Sequence, residues 1–154
     1  MCTNELNAGG GAVAAPAPES TTSATAAPGG LDRSRTEALE ERFVGWLNGG
    51  ALCLMISLGH RKGLFDTMST MGPATSAEIA DKAGLSERYV REWLGAMVTG
   101  GVVDHDGGER NETMKFHLPA EHAALLTRAG GAENLAVLAQ YIALLGGVED
   151  EVAE

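Results

Sequence analysis

Four histidines are the side chains of this sequence best suited to general acid–base catalysis or to binding a transition metal. His105 lies between two aspartates, a run that could bind a metal, although in a loop such a run is more often simply solvated. Pro119 lies between His117 and His122 and breaks the helical spacing that a paired-histidine zinc site needs. We therefore predict no catalytic and no metal-ligating residue in this chain.

The two cysteines are far apart in the chain and do not form a C-x-x-C motif. Cys53 lies in an apolar run, which favours a buried, reduced thiol over a reactive one. The N-terminus lacks the basic segment followed by an apolar segment that is typical of a secretory signal. These features together predict a cytoplasmic protein.

Composition and charge limit the partners that the protein can have. The chain has 154 residues, 44% of them hydrophobic, which is enough for one small domain with a core. Its formal net charge is −10, whereas nucleic-acid binders usually present a basic face that neutralises phosphates. Nucleic acid is therefore not an expected partner.

The segment before Leu31 consists mainly of Ala, Gly, Pro, Ser and Thr, as in the run GGGAVAAPAPESTTSATAAPGG. Such a composition buries too little apolar surface to offset the loss of chain entropy. The range 1–30 is therefore predicted to be a disordered tail, and the folded part is predicted to begin near Leu31.

A long amphipathic helix is predicted after the tail. The run from Phe43 to Gly59 carries no charge, and its length comes close to the lower limit for a membrane span. Asn48, Ser57 and the Gly49-Gly50 pair disfavour a span, and the pair indicates a kink or a close approach of another backbone. We predict a buried or dimer-forming helix and no membrane partner. Its apolar face consists of Leu39, Phe43, Trp46, Leu47, Gly50, Ala51, Leu54, Met55 and Leu58.

Two short helices joined by a turn follow in the middle of the chain. The capping box Thr75-x-x-Glu78 predicts a helix from Ser76 to Ala83, Gly84 supplies a turn, and Ser86 is predicted to cap the next helix. That helix runs to Gly100, and its spacing predicts one stripe facing the core, formed by Tyr89, Val90, Trp93, Leu94, Met97 and Val98. The methionines at 55, 68, 71, 97 and 114 are predicted to fill the core rather than to line a ligand pocket.

A small wing and further helices complete the predicted fold. VVDHD and TMKFHL read as two strands joined by the polar turn GGERN, and Pro119 is predicted to begin a helix that ends near Thr127. The fold class is therefore mainly α: a winged helix-turn-helix with a small two-stranded wing and additional N- and C-terminal helices.

The chain closes on AENLAVLAQYIALLGGVEDEVAE, which reads as one helix with little polar face before Glu149. A helix this apolar must be covered, and little of this chain remains to cover it. We expect a partner chain or a missing domain to do so. The candidate dimer or lid contacts are Phe43, Trp46, Leu47, Leu54, Leu58, Leu138, Tyr141 and Ile142.

The second helix of a helix-turn-helix commonly reads DNA, but its outward face here lacks the necessary cations. That face carries Glu87, Arg88, Arg91, Glu92, Gly95, Ala96 and Thr99. Residues 76–100 contain three cationic and four acidic side chains, and the wing contains two cationic and four acidic side chains. The side chains that typically bind base edges and phosphates are Arg, Lys, Asn and Gln. Arg88 and Arg91 are therefore predicted to form surface ion pairs or subunit contacts.

The segments GLFDTM, GPATSAEIADKAGLSERYVREWLGAMVTGGVVDHD and FHLPAEHAALLT resemble the N-terminal winged-helix region of class I S-adenosylmethionine-dependent methyltransferases, of the mycobacterial type with a helix-turn-helix-like front domain. The resemblance covers about Thr36 to Glu154, and related layouts occur in plant and bacterial small-molecule O-methyltransferases. It implies a domain that builds a homodimer and helps to roof the substrate pocket, followed by a catalytic domain that binds S-adenosylmethionine.

That catalytic domain is absent from this sequence. A donor site needs a strand that ends in a glycine-rich turn, and none of the Gly-Gly pairs lies between an apolar strand and a helix in a G-x-G pattern. We predict a tail (1–30), a winged-helix dimerisation domain (31–128) and a helix leading towards the missing domain (129–154). No cofactor is expected in this chain alone. The alternatives are a stand-alone winged-helix transcriptional regulator and a protein-interaction module.

Overall fold

The structure is a computed structural model that describes residues 30–107 and 113–154. The predicted tail before Gly30 and residues 108–112 of the wing turn lie outside the described part. The described elements are, in chain order, α1 (Arg33–Arg61), α2 (Leu64–Ser69), α3 (Ser76–Ala83), α4 (Glu87–Thr99), β1 (Asp104–His105), β2 (Phe116–His117), α5 (Ala120–Leu126), a 3-10 segment (Arg128–Glu133), α6 (Leu135–Leu138), α7 (Gln140–Gly147) and α8 (Glu149–Ala153).

The helix-turn-helix forms where its caps predict it. The Thr75 hydroxyl accepts a hydrogen bond from the backbone N–H of Glu78 at 3.3 Å, and the Glu78 carboxylate accepts one from the backbone N–H of Thr75 at 2.8 Å. Gly84 ends α3 with a φ of 65°, a left-handed conformation that favours glycine. Ser86 occupies the N-cap position of α4, but its side chain makes no capping hydrogen bond, contrary to the prediction.

The core lies between α4 and the helices packed around it. Trp93 is fully buried and meets Phe65 of α2 edge to face, with ring centroids 5.2 Å apart. The predicted stripe of α4 is confirmed except at Tyr89, which is 72% exposed. At about 100° per residue, Val90, Met97 and Leu94 lie on one side of Trp93 around the helix, and Tyr89 lies on the other side, at the edge of the stripe. Met68 and Met97 are buried in the core as predicted, whereas Met55, Met71 and Met114 are partly buried and pack against it.

The C-terminal part of α1 is fixed to α4 by a close contact. The Trp93 indole N–H donates to the carbonyl oxygen of Met55 at 2.9 Å, and the indole lies so near Gly59 that a Cβ there would be 2.5 Å from its Cζ2 atom. The predicted kink or close approach at Gly49-Gly50 was wrong, because α1 continues through the pair and a Cβ at either glycine would meet nothing within 4 Å. Cys53 is half-buried rather than buried.

The wing is shorter than its sequence predicts. β1 and β2 have two residues each and pair antiparallel, with Asp104 opposite His117. Phe116 also bridges to Ala74, with its backbone N–H 2.8 Å from the Ala74 carbonyl oxygen. Pro119 is the N-cap of α5 rather than its first residue, and the helix ends at Leu126, close to the predicted end.

The C-terminal segment is not the single helix that its apolar run predicts. Gly131 has a φ of 57° and interrupts the 3-10 segment. The Asn134 side chain then caps the N-terminus of α6, because it accepts a hydrogen bond from the backbone N–H of Ala136 at 2.9 Å. α6, α7 and α8 follow as three short helices. Ala136 and Ala139 are buried, so α6 packs onto the domain.

Arg128 ties this segment to the beginning of the domain. Its backbone N–H donates to the Asp66 carboxylate at 2.8 Å, and its guanidinium forms an ion pair with the same carboxylate. The guanidinium also donates to the carbonyl oxygen of His60 at 2.8 Å. One side chain therefore connects the end of α1, α2 and the 3-10 segment.

Candidate functional site

The predicted dimer or lid contacts form a surface that we call the exposed apolar surface. Each member is between 40% and 61% exposed in the isolated chain. They come from α1, α6 and α7, and the structure places α7 against α1. The members are Phe43, Trp46, Leu47, Leu54, Leu58, Leu138, Tyr141 and Ile142.

The first half of α1 contributes most of the large side chains of this surface. Every residue from Arg33 to Gly49 is exposed, because the helix projects beyond the elements that pack on its second half. Phe43 and Trp46 meet edge to face on it, with centroids 6.2 Å apart. Within the described part, α1 is the helix long and apolar enough to cross a membrane by length and composition. A core helix passes the same test; 17% of the apolar window is buried inside this chain, and Gly59 in the second half of α1 contacts Trp93.

On the outward face of α4, an arginine is paired with a carboxylate. Glu87 accepts a hydrogen bond from the Ser76 hydroxyl at 2.8 Å and forms an ion pair with Arg91 at 3.4 Å. The predicted surface ion pair is therefore confirmed for Arg91. A guanidinium neutralised in this way has less charge to offer a phosphate, which disfavours α4 as a DNA-reading helix.

A broad cleft is lined by residues of α1, α3, α4 and the wing. Its volume is about 1520 Å³. Its lining includes the small residues Gly95 and Ala96 of α4 and the apolar side chains of Leu52 and Met55 of α1 and Met114 of the wing. Small residues on the outward face of α4 are visible in the sequence, but the cleft itself was not predicted, because the partner wall comes from a distant helix.

The four histidines do not converge on one site. His105 is exposed, the ring of His117 lies 3.7 Å from the Asp104 carboxylate, and the His122 ring is 2.9 Å from the carbonyl oxygen of Val102. His60 is buried at the end of α1. Over residues 30–107 and 113–154, no three His, Cys, Asp or Glu side chains lie close enough together to hold a metal ion.

A family model described as the Rv2258c-like winged HTH domain matches residues 50–128, just over half of the chain. The chain belongs to this family. The predicted winged-helix fold is thereby confirmed, and the solved structures described next confirm the resemblance to the front domain of methyltransferases. The match begins in the middle of α1 and ends at Arg128, the residue that joins the two ends of the domain.

Solved methyltransferase structures contain the fold of this Rv2258c-like domain. The mitomycin 7-O-methyltransferase MmcR is 25% identical, with a TM-score of 0.54 over 70% of this chain. PigF, solved with SAH, is 24% identical, with a TM-score of 0.57 over 73% of the chain. Human N-acetylserotonin methyltransferase, solved with SAM, is 15% identical, with a TM-score of 0.57 over 84%.

This Rv2258c-like domain corresponds to about a third of each of those proteins: 30% of MmcR, 32% of PigF and 36% of the human enzyme. A comparison with curated protein sequences gives no match. The family and the fold are therefore established, while activity, substrate and partners are matters for proposal.

Proposed function

We propose that this chain is the dimerisation and substrate-lid domain of a cytoplasmic S-adenosylmethionine-dependent methyltransferase that acts on a small molecule. The observation that carries the proposal is the exposed apolar surface on a winged-helix domain of the Rv2258c-like family. Methyltransferases that share the fold support the reaction class, and S-adenosylmethionine is the donor implied for the longer protein.

A homodimer accounts for the first half of α1. An isolated helix of this kind is marginal in water, and most helical stability in proteins comes from burying an apolar face against a neighbour. Its charged residues balance in number, three arginines at 33, 35 and 42 and three glutamates at 37, 40 and 41, so protein is a better partner for it than the lipid interior. A second copy would bury the two aromatic rings and neighbouring leucines.

A catalytic domain accounts for the other part of the exposed apolar surface. Leu138, Tyr141 and Ile142 lie on short helices of the C-terminal segment and are 57%, 57% and 40% exposed. Patches of this kind mark interaction sites. A donor-binding domain packed here would place the winged helix over its substrate pocket, which is the lid role.

A charge on the apolar face tests the dimer. Leu47→Glu should weaken self-association by at least about tenfold, because a carboxylate would be buried without a partner. Ala38→Glu is the matched control: it adds the same charge to an exposed position on the opposite side of the same helix. Sedimentation velocity over a range of concentrations measures the self-association of both variants. An equal loss of self-association in the two would contradict the proposal.

A second test asks whether this chain binds S-adenosylmethionine without a catalytic domain. Titration calorimetry of the 154-residue chain with S-adenosylmethionine should give no stoichiometric heat, since the sequence carries no glycine-rich donor turn. The intact mass of the native gene product should exceed 15.9 kDa by the mass of a catalytic domain. Stoichiometric donor binding by this chain would overturn the proposal.

A further inference from the structure

The chain that leads out of the winged-helix domain is fixed to that domain as far as Ala139. Ala136 is fully buried, Ala139 is 8% exposed, and the buried Asn134 amide donates a hydrogen bond to the carbonyl oxygen of Thr127 at 2.9 Å. The turn before them is tightly packed, because a Cβ at Gly130 would be 2.2 Å from a carbonyl oxygen of α5. Buried side chains and hydrogen bonds of this kind hold α6 in one orientation against α5.

The chain after Ala139 is held by fewer contacts. Every residue of 141–154, a range that the structure describes in full, is exposed. α7 lies against α1 and follows α6 through Ala139, whose φ of −60° and ψ of −21° are helical. α8 has five residues, and a helix this short is not stable by itself in water. Regions with few buried contacts move at the lowest cost in free energy, so the freedom of the chain increases towards α8.

Two glycines lie at the boundary between α7 and α8. α7 ends in Gly146 and Gly147, where a Cβ would meet nothing within 4 Å, so no packing contact requires glycine at either position of this described helix. Glycine allows a wider range of φ and ψ than other residues, and hinges are often a few small residues at the end of an element. α8 begins as a separate helix after Val148, and the three acidic residues of its first turn stabilise a helix N-terminus there.

We propose that Gly146 and Gly147 form the hinge on which the winged-helix domain swings relative to the chain that follows α7. This inference rests on the lid role in the proposed function and specifies how the lid moves. The lid is one body that extends to α7, and it turns at the glycine pair rather than at the tight turn around Gly130. Opening and closing then change φ and ψ at the hinge and leave the buried contacts of Ala136 intact.

Distances between two nitroxide labels test the hinge. After Cys2 and Cys53 are replaced by Ser, one protein carries Tyr89→Cys with Val152→Cys, and a second carries Tyr89→Cys with Leu135→Cys. These three positions are 72%, 83% and 52% exposed, so each accepts a label. Dilution with unlabelled protein restricts the measurement to distances within one chain. Double electron–electron resonance should give a broad distribution between 89 and 152, and one at least about twofold narrower between 89 and 135.

Replacing the glycines gives a second readout. Gly146→Ala/Gly147→Ala should narrow the distribution between 89 and 152 by at least about twofold, because alanine restricts the backbone and favours the helix. Gly49→Ala/Gly50→Ala is the matched control. It changes a glycine pair inside the continuous helix α1, where a Cβ also meets nothing within 4 Å, and it should leave both distributions unchanged.

Three results would overturn the hinge. The distribution between 89 and 152 could be as narrow as that between 89 and 135, or Gly146→Ala/Gly147→Ala could leave it unchanged. A distribution between 89 and 135 as broad as that between 89 and 152 would instead place the movement at the turn around Gly130. None of these distances depends on self-association or on donor binding, so the hinge can fail while the proposed function stands, and the sedimentation and calorimetry experiments decide that function separately.

Discussion

Gly59 is the residue on which the contact between α1 and α4 depends most. Gly59→Ala should destabilise the domain by about 1–3 kcal/mol, because the new methyl group would overlap the indole of Trp93, which is fully buried and cannot move aside. Urea unfolding monitored by tryptophan fluorescence measures the change. Gly45→Ala in the same helix should instead stabilise by up to about 1 kcal/mol, because a Cβ there meets nothing. Equal stabilities of the two variants would contradict this packing.

Glu78 makes α3 sensitive to acid. Hydrogen bonds from the backbone N–H of Thr75, and then from its hydroxyl, hold the pKa of Glu78 below its ordinary value of 4.5. A carboxyl whose pKa is lowered by folding stabilises the folded state above its unfolded pKa and loses that contribution as the pH falls through the folded pKa.

Glu78→Gln should therefore lower the free energy of unfolding at neutral pH, and the difference from the parent protein should shrink below a pH of about 4.5. Urea unfolding at a series of pH values measures this difference. Glu121→Gln, at an exposed position in the first turn of α5, is the control. A difference that stays constant with pH would show that the capping box does not depend on the charge.

At the scale of elements, Arg128 joins three parts of the chain that are distant in sequence. A double-mutant cycle of Asp66→Ala and Arg128→Ala should give a coupling free energy of about 1 kcal/mol, a modest value because the two side chains are 31% and 54% exposed. Each single variant should cost more than this coupling, since Arg128→Ala also removes the hydrogen bond to the His60 carbonyl oxygen and Asp66→Ala also removes the one from the Arg128 backbone N–H. Strictly additive losses would contradict the ion pair.

Elements with local signals were predictable, and those set by tertiary contacts were not. The capping box and Gly84 defined α3, because caps act over a single turn of the chain. α2 is too short to show a helical period, and its helix depends on burying Phe65 against Trp93. Gly131 and Asn134, which break the C-terminal segment, lie just before the apolar run that begins at Leu135, and that run dominated the prediction.

For the whole molecule, the exposed apolar surface was predictable and the cleft was not. The predicted helices carry more apolar residues than this chain can bury, which indicates that some of their apolar surface is uncovered. The structure shows those residues exposed. The cleft needs the angle between α1 and α4, which Gly59 and Trp93 set over a separation that no sequence pattern spans.

The net charge of the chain and the ion pair on α4 together predict that the chain does not bind DNA. With a net charge of −10 and Arg91 paired to Glu87, the chain should not shift a random DNA duplex in a gel at low salt, the condition that most favours non-specific binding. The variant Glu87→Gln/Glu92→Gln removes two carboxylates from the outward face of α4 and serves as the comparison. A shift by the parent protein that disappears on adding salt would support the stand-alone regulator instead.

Pairing with a second copy is the property on which the proposed dimer depends, and sedimentation equilibrium of the parent chain measures it directly. We expect a mass of twice 15.9 kDa at high concentration, which falls towards 15.9 kDa on dilution. A mass that stays at 15.9 kDa at every concentration would contradict the dimer, and the exposed apolar surface would then need another partner.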